Sequence, residues 1–257
     1  MTATIQPLSL LRQVGLHTGR QRTRLLADRA ALVGVVLAPI LYFVGFYVPL
    51  QGAMRAQGLD YAQYIGPALV AQSCIFTAMA SASAMAEDSK AGLLRRVASM
   101  PVSRWGPLLG RLVVDVGCGL VGAVAAVAIA ALVGFRFATL TGVLGFALVV
   151  ALFTAALCLL FVAVALRAKD PAGAAEALLV PQLVMIMVST AFIPADGFPG
   201  WLRPVVTWQP VSVVLDALRG FCTGAPSATA LMATAGWCVL LGGLGVLSCA
   251  RAPRGVA

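Results

Sequence analysis

The sequence has little charge and almost no histidine. Only 11% of its 257 residues are charged, whereas soluble domains carry about 25%. This composition leaves little room for a separate soluble domain. His17 is the single histidine, and the six cysteines show no C-x-x-C or other metal-ligand spacing. The sequence therefore predicts no metal site and gives no support to a histidine-dependent catalytic triad.

Phosphate-binding motifs are also missing. No G-x-x-x-x-G-K-[ST] occurs, so the chain cannot bind ATP phosphates in a P-loop of its own. The letters of a dinucleotide fingerprint do occur at Gly117-Cys-Gly-Leu-Val-Gly122. That chemistry needs a strand, a tight turn and a helix N-terminus, whereas this stretch lies inside an apolar run, where a helix-packing surface is expected. We expect no cofactor and no enzymatic activity on this chain.

Long apolar runs are abundant. The chain is 61% hydrophobic, with a mean hydropathy of +0.97. Six runs are each long enough to cross a membrane as a helix, at about 31–50, 64–86, 108–133, 141–166, 172–193 and 227–250. We expect an all-α polytopic membrane protein with six transmembrane helices and one transmembrane domain over residues 1–257. The first run is too long for the apolar region of a signal peptide, so no cleavage is expected.

The distribution of basic residues predicts the orientation. If the N-terminus is inside, fourteen of the 18 Lys and Arg residues lie in inner segments and four lie in outer ones. Cytoplasmic segments of membrane proteins are enriched in Lys and Arg. We therefore expect the chain in the cytoplasmic (inner) membrane, with both termini on its cytoplasmic side. The same rule accounts for the net charge of +9 without a nucleic-acid partner.

Short-range patterns refine these helices. Asp170-Pro171 is typical of a helix start. The small residues of 78–86 and the glycines of the last run (Gly236, Gly242, Gly243 and Gly245) predict close helix packing. Arg111 and Asp115 are four residues apart in the third run, so they can pair on one helix face.

Two inner segments are amphipathic. Residues 1–30 predict a helix along the inner surface that is rich in arginine near the first span. Residues 87–104 hold six of the chain's 27 charged side chains. We expect a short helix in this loop, capped by Asp88 or Ser89 and ended by Pro101. Its apolar stripe fits either an anionic lipid surface or a groove on a protein.

The outer segment at 194–222 is interrupted by proline. Prolines at 194, 199, 204 and 210 exclude a continuous helix, while Trp201 and Trp208 favour the membrane interface. We predict a broken hairpin that partly re-enters the membrane before the last span. A structural cap and a part in the path of a substrate are both compatible with it.

Together these features resemble the ABC-2 type permease family, in its daunorubicin/doxorubicin-resistance exporter branch from actinobacteria. The resemblance covers nearly the whole chain. Its most specific parts are the inner loop, Glu87-Asp-x-x-x-Gly92-Leu-Leu-Arg95-Arg96 with Pro101, and the outer Pro199-Gly-Trp201-Leu-x-Pro204 segment leading through Gln-Pro210 to Asp216-Ala-Leu-Arg219. One departure is Lys90-Ala91, where many relatives carry a second acid near the glycine.

The resemblance implies a subunit that pairs with a second permease, as a homodimer or with a sister chain. It also implies two copies of a separate ATP-binding subunit, which would hold ATP and Mg²⁺. The inner loop would be a coupling helix seated on that ATPase, with contacts at Glu87, Asp88, Gly92, Leu93, Leu94, Arg95, Arg96, Pro101 and Arg104. The outer hairpin would form a gate, with Pro194, Pro199, Trp201, Pro204, Pro210, Asp216 and Arg219.

The function implied is ATP-driven export of hydrophobic drugs, lipids or glycolipids. A secondary carrier is the first alternative, and it predicts carboxylates at mid-membrane and inverted repeats. The second is a non-transporting anchor or assembly protein whose basic helices bind lipid. It predicts no ATPase partner.

Overall fold

The computed structural model describes residues 40–56, 58, 60–93, 96 and 105–251, with isolated positions between 14 and 37. All regular structure in these ranges is helical. Four helices are long and apolar enough to cross a membrane: α2 (Tyr61–Lys90), α3 (Trp105–Leu132), α4 (Leu140–Arg167) and α9 (Ala228–Arg251). They coincide with the predicted second, third, fourth and sixth spans to within four residues. The chain is a multi-pass membrane protein.

The first predicted span is described only in part. A π-helical turn, Phe43–Tyr47, leads into α1 (Val48–Ala56), which extends past the predicted end at residue 50. The fifth predicted span is two short helices, α5 (Pro171–Ala177) and α6 (Leu179–Met187), rather than one continuous helix. Pro181 has no N–H to donate to the carbonyl of Ala177, which removes one helix hydrogen bond at the junction.

The core lies between α2 and α4. Most side chains in the apolar parts of these two helices are buried, whereas most of those of α3 and α9 are partly or fully exposed. The exposed side chains are large and apolar, for example Val121 and Val124 on α3 and Val239 and Leu240 on α9. Such faces are stable next to lipid, while a soluble monomer rarely exposes contiguous apolar surface of this extent.

Local caps fix where the helices begin. The Asp60 carboxylate accepts the N–H of Ala62 at 3.2 Å, and the Thr139 hydroxyl accepts the N–H of Gly142 at 3.0 Å. The Asp170 carboxylate accepts the N–H of Ala172 at 3.2 Å, with Pro171 as the first residue of α5. The helix start predicted at Asp170-Pro171 is therefore confirmed.

Two of the four glycines of the last span pack α9 against α4. A methyl group on Gly245 would lie 2.6 Å from the carbonyl carbon of Leu159, and one on Gly242 would lie 3.7 Å from Ala156. Gly236 and Gly243 have nothing within 4 Å of that position among the described residues. The predicted packing surface is confirmed at Gly242 and Gly245 only.

The bundle has two distinct ends. At the loop end α2 stops and α3 begins, and Thr18 Oγ1 lies 3.3 Å from the Gly110 carbonyl oxygen there. At the hairpin end, α7 (Arg203–Trp208) and α8 (Pro210–Thr223) follow a single 3₁₀ turn, Ala195–Gly197. The predicted broken segment is confirmed, since the chain between Met187 and Arg203 holds only this 3₁₀ turn and irregular backbone.

Candidate functional site

A buried ion pair joins α2 to α3 at the loop end. Arg111 Nη1 lies 3.1 Å from Asp88 Oδ2, and each side chain is only 6% exposed. Asp88 is inside α2, which continues to Lys90 rather than ending near residue 86 as expected from the hydrophobic pattern. The expectation that Asp88 or Ser89 caps a separate helix is therefore wrong: both are buried residues of α2.

Ser81 extends the ion pair into a network. Its hydroxyl accepts a hydrogen bond from Arg111 Nε at 3.2 Å and donates one to Asp115 Oδ2. Arg111 and Asp115 are thus connected through Ser81, and the ion pair that Arg111 forms is with Asp88 on the neighbouring helix. One guanidinium faces two carboxylates, so the two helices are held by charge that is shielded from solvent.

Gly92 redirects the chain as it leaves α2. Its φ of +68° lies in the left-handed region, where glycine is favoured because it has no Cβ. Its N–H donates to the Ser89 carbonyl at 3.0 Å, and its own carbonyl accepts the N–H of Arg96 at 3.2 Å. Leu93 and Arg96 are helical, as expected for a short helix in this loop.

Of the other eight residues of the predicted coupling contact, the structure describes four. Glu87 and Arg96 are exposed, and Gly92 and Leu93 are partly buried. The other four, Leu94, Arg95, Pro101 and Arg104, lie outside the described residues, as does most of 1–30.

Arg219 of α8 organises the hairpin end. Its Nη2 donates to the Thr190 carbonyl at 2.7 Å, and its guanidinium carbon lies 3.8 Å from the centre of the Tyr64 ring. The Tyr64 hydroxyl donates to the same Thr190 carbonyl at 2.7 Å. Asp216 lies 3.5 Å from Arg219 on the same helix. Arg219 therefore meets the chain after α6 and the first turn of α2, with Asp216 beside it on α8.

Two further polar residues of this region hold the turn that follows α6. The Gln209 amide nitrogen donates to the Val188 carbonyl, and the Ser212 hydroxyl accepts the N–H of Thr190 at 3.0 Å. Ser212 is fully buried, although it lies on the same face of α8 as the more exposed Asp216 and Arg219. Composition gives no signal for these contacts, because the partners are backbone atoms of a distant segment.

The prolines stand where helices begin or where the chain turns. Pro210 is the first residue of α8, Pro204 is the second of α7, and Pro194 precedes the 3₁₀ turn. The Pro199 carbonyl accepts the N–H of Leu202 at 2.9 Å. Trp201 is 78% exposed, as expected for an interfacial tryptophan.

The turn between α7 and α8 contacts the last helix, α9, near the middle of its length. Trp237 Nε1 donates to the Trp208 carbonyl at 3.0 Å, and Thr234 Oγ1 lies 3.3 Å from the Val213 carbonyl oxygen. Trp237 is the tenth residue of α9, which places it about 13 Å from the start of that helix. From this turn α8 returns to the hairpin end, where Cys222 accepts the N–H of Ala138 at 3.0 Å.

Comparison with known proteins assigns this architecture to a family. The ABC-2 type transporter family model matches residues 12–221. A probable doxorubicin resistance ABC transporter permease protein, DrrC, of Mycobacterium tuberculosis is 29% identical over 234 residues, with 89% of this chain and 84% of the relative covered. The doxorubicin resistance ABC transporter permease protein DrrB of the same species is 32% identical over 230 residues, covering 83% and 80%.

A third relative comes from another genus. The daunorubicin resistance ABC transporter permease protein DrrB1 of Streptomyces coeruleorubidus is 24% identical over 194 residues, with 75% of this chain and 69% of the relative covered. All three relatives are permease subunits of ABC transporters by name. The family match spans the loop end, the central helices and nearly all of α8. The chain therefore belongs to the ABC-2 type transporter family.

Proposed function

We propose that the chain is the membrane-spanning subunit of an ATP-driven exporter that moves hydrophobic drugs, lipids or glycolipids out across the cytoplasmic membrane. The observation that carries this proposal is the family match over residues 12–221, joined by relatives named for drug resistance. The apolar outer faces of α3 and α9 suit a subunit whose cargo reaches it from the lipid.

The full arrangement has six spans, with both termini and the 87–104 loop in the cytoplasm and the 194–222 hairpin outside. Several observations support it. Thr18 lies beside Gly110 at the loop end, and α9 runs parallel to α4 toward the same end, where its last residue is Arg251. Fourteen of the 18 basic residues belong to segments on that side. The depth of the turn between α7 and α8 along α9 supports a hairpin that partly re-enters the membrane.

Coupling to ATP would act through the 87–104 loop. A helix that docks in a groove needs apolar anchors flanked by charge, and Glu87, Leu93 and Arg96 begin such a surface. The Asp88–Arg111 ion pair holds α2 and α3 together at either side of the loop. A displacement of the loop would therefore move both helices as a unit, rather than only changing the angle between them.

The hairpin would respond at the opposite end. Arg219 holds the turn after α6 against the N-terminal turns of α2, so a shift of α2 is transmitted to α8 through these contacts. The seven hairpin residues selected from the resemblance remain proposals as gate residues.

The partners follow from the same scheme. Two copies of an ATP-binding subunit would supply ATP and Mg²⁺, and this chain would bind neither. A second permease, either another copy or a sister chain, would complete the pathway. Lipid and a hydrophobic substrate are the remaining contacts.

The test is co-purification with the ABC ATPase encoded beside this chain. We expect a stable complex, lost when Arg95→Glu and Arg96→Glu are combined, because the charge at the docking surface is reversed. The matched control is Arg136→Glu, a charge reversal at the hairpin end that leaves the complex intact. Failure of any ABC ATPase to bind the wild-type chain rules out the exporter. Export driven by an ion gradient in its place would support a secondary carrier, and no transport at all would support an anchor.

A further inference from the structure

The turn between α4 and α5 lies at the loop end of the bundle. Helix α4 begins at the hairpin end, where Gly142 lies against the backbone of Phe221. Its 28 residues extend about 42 Å, whereas the hydrocarbon core of a bilayer is about 30 Å thick. In the proposed arrangement its last residue, Arg167, therefore stands beyond the lipid tails on the side where α2 ends.

Antiparallel packing sets this turn beside the end of α2. The Tyr64 hydroxyl of α2 donates to the Thr190 carbonyl after α6, and both α5 and α6 pack against α2. Nineteen residues back from Thr190 is Pro171, and nineteen residues forward from Tyr64 is Ser83. The turn at 168–170 is therefore level with the last turns of α2, next to the start of the inner loop.

Short-range contacts hold this turn in one conformation. The Ala168 N–H donates to the Val164 carbonyl at 3.2 Å, and the Asp170 carboxylate accepts the N–H of Ala172. Ala175 is buried, since α5 packs against both α2 and α4. A surface that is already ordered loses little conformational entropy when a partner binds it.

The turn and α5 present charges that other described residues leave available. Arg167, Lys169 and Glu176 are exposed, and none of the three forms an ion pair or a side-chain hydrogen bond within the part of the chain that the structure describes. An ionised carboxylate is costly among lipid tails. Glu176 therefore belongs at the membrane surface, within reach of a cytoplasmic partner.

The mixture of signs favours a protein over a lipid surface as that partner. Arg167 and Lys169 are basic, whereas Glu176 and the nearby exposed Glu87 of α2 are acidic. Segments that bind anionic lipid are clusters of about four to eight Lys and Arg. A patch of both signs is complementary to a second patch of both signs, which a protein surface can provide.

We propose that Arg167, Lys169 and Glu176 form a second docking surface for the ATP-binding subunit, adjacent to the 87–104 loop. The loop joins α2 to α3, and the second surface joins α4 to α5, so the ATPase would hold the bundle at two separate points. A subunit held at two points cannot rotate about either one, and its movement is transmitted to all four helices. This inference rests on the proposed export function and adds a contact to it.

The test measures the affinity of a fluorescently labelled ABC ATPase, the one encoded beside this chain, for the permease in phosphatidylcholine nanodiscs. We expect Arg167→Glu combined with Lys169→Glu to weaken binding about 5- to 20-fold, because each attraction becomes a repulsion. Glu176→Lys should weaken it about 2- to 5-fold, whereas a lipid-binding segment would gain from the added positive charge. The melting temperatures of these variants match the wild type, since the three side chains are exposed.

Arg55→Glu combined with Arg136→Glu is the matched control. Both arginines are exposed near the hairpin end, and this variant has the same change in net charge as the loop-end pair. Its affinity for the ATPase stays within twofold of the wild type.

Unchanged affinity in the loop-end variants overturns the inference, and so does an equal loss in the control. A contact with anionic lipid would instead lower the melting temperature of the Arg167→Glu/Lys169→Glu variant in phosphatidylglycerol nanodiscs, with ATPase affinity unchanged. If reversal of Arg95 and Arg96 abolishes binding but these variants do not weaken it, the inference fails and the exporter stands. If the wild-type permease binds no ABC ATPase, the exporter itself fails.

Discussion

Arg111 is the residue on which the loop end of the bundle depends. Its guanidinium faces Asp88 on the neighbouring helix and, through Ser81, Asp115 on its own. Ionisable groups inside a membrane bundle are rare and are stabilised only when they are paired. Removing Arg111 leaves two carboxylates without a counter-charge, whereas removing Asp88 leaves the guanidinium connected to Asp115 through Ser81. The two members are not equivalent, because Arg111 balances two carboxylates and Asp88 balances one guanidinium.

We therefore expect Arg111→Leu to lower the free energy of unfolding by about 3–5 kcal/mol, and Asp88→Asn to lower it by less. Thermal unfolding of the purified protein in one detergent measures the order. The control is Asp196→Asn, whose partner Arg203 is 48% exposed while Asp196 itself is 95% exposed. Exposed pairs contribute less than about 1 kcal/mol, so this variant melts close to the wild type. Equal losses for Arg111→Leu and Asp196→Asn would contradict the buried network.

Helix packing decides stability at the scale of the elements. The last span carries four glycines, and only their contacts distinguish them: Gly245 meets the backbone of α4, while Gly243 meets nothing described within 4 Å. Helix α8 has a different part, since it is short but its apolar side chains fill the core between α2, α4 and α9. Its polar residues, together with Tyr64 of α2, fasten the turn after α6.

Gly245→Ala should destabilise the protein by about 1–3 kcal/mol, because the new methyl group would force α9 away from the backbone of Leu159 and Leu160. Gly243→Ala should be neutral or slightly stabilising, since alanine is the better helix former and has open space here. The comparison of the two melting temperatures is the measurement. A result in which Gly243→Ala is the more harmful would show that α9 packs on α4 through its other face.

The whole molecule is polarised from one end to the other. In the proposed arrangement basic residues gather at the loop end, whereas aromatic and proline-rich segments form the hairpin end. The six native cysteines are free, and each is buried or partly buried. They therefore react slowly with water-soluble reagents, and an introduced surface cysteine can report its own side of the membrane.

In intact cells we expect Trp201→Cys to be labelled by a membrane-impermeant maleimide, because its side chain is exposed at the hairpin end. Lys90→Cys, exposed where α2 meets the inner loop, should react only after the membrane is permeabilised. The unsubstituted chain is the control for native cysteines. Labelling of Lys90→Cys from outside would reverse the proposed orientation.

The sequence by itself determined the class of the protein and most of its helices. Twenty-residue apolar stretches in lipid have one way to satisfy their backbone, so hydropathy located α2, α3, α4 and α9 closely. Asp170-Pro171 and the hairpin prolines acted locally, because a cap or a missing N–H works within one helical turn. The family was also recognisable from the motifs of the inner loop and the outer hairpin.

Only the tertiary structure decided which residues meet. The hydrophobic pattern predicts that the second span ends near Ala86, because charged residues follow. In the structure Asp88 is nevertheless buried inside the helix, since its carboxylate pairs with Arg111, 23 residues further along the chain. Ser81 acquires its role from partners on α3, and Gln209 and Ser212 acquire theirs from backbone atoms of the turn after α6. Periodicity reports which face a residue occupies, whereas the partner across that face is set by how the helices pack.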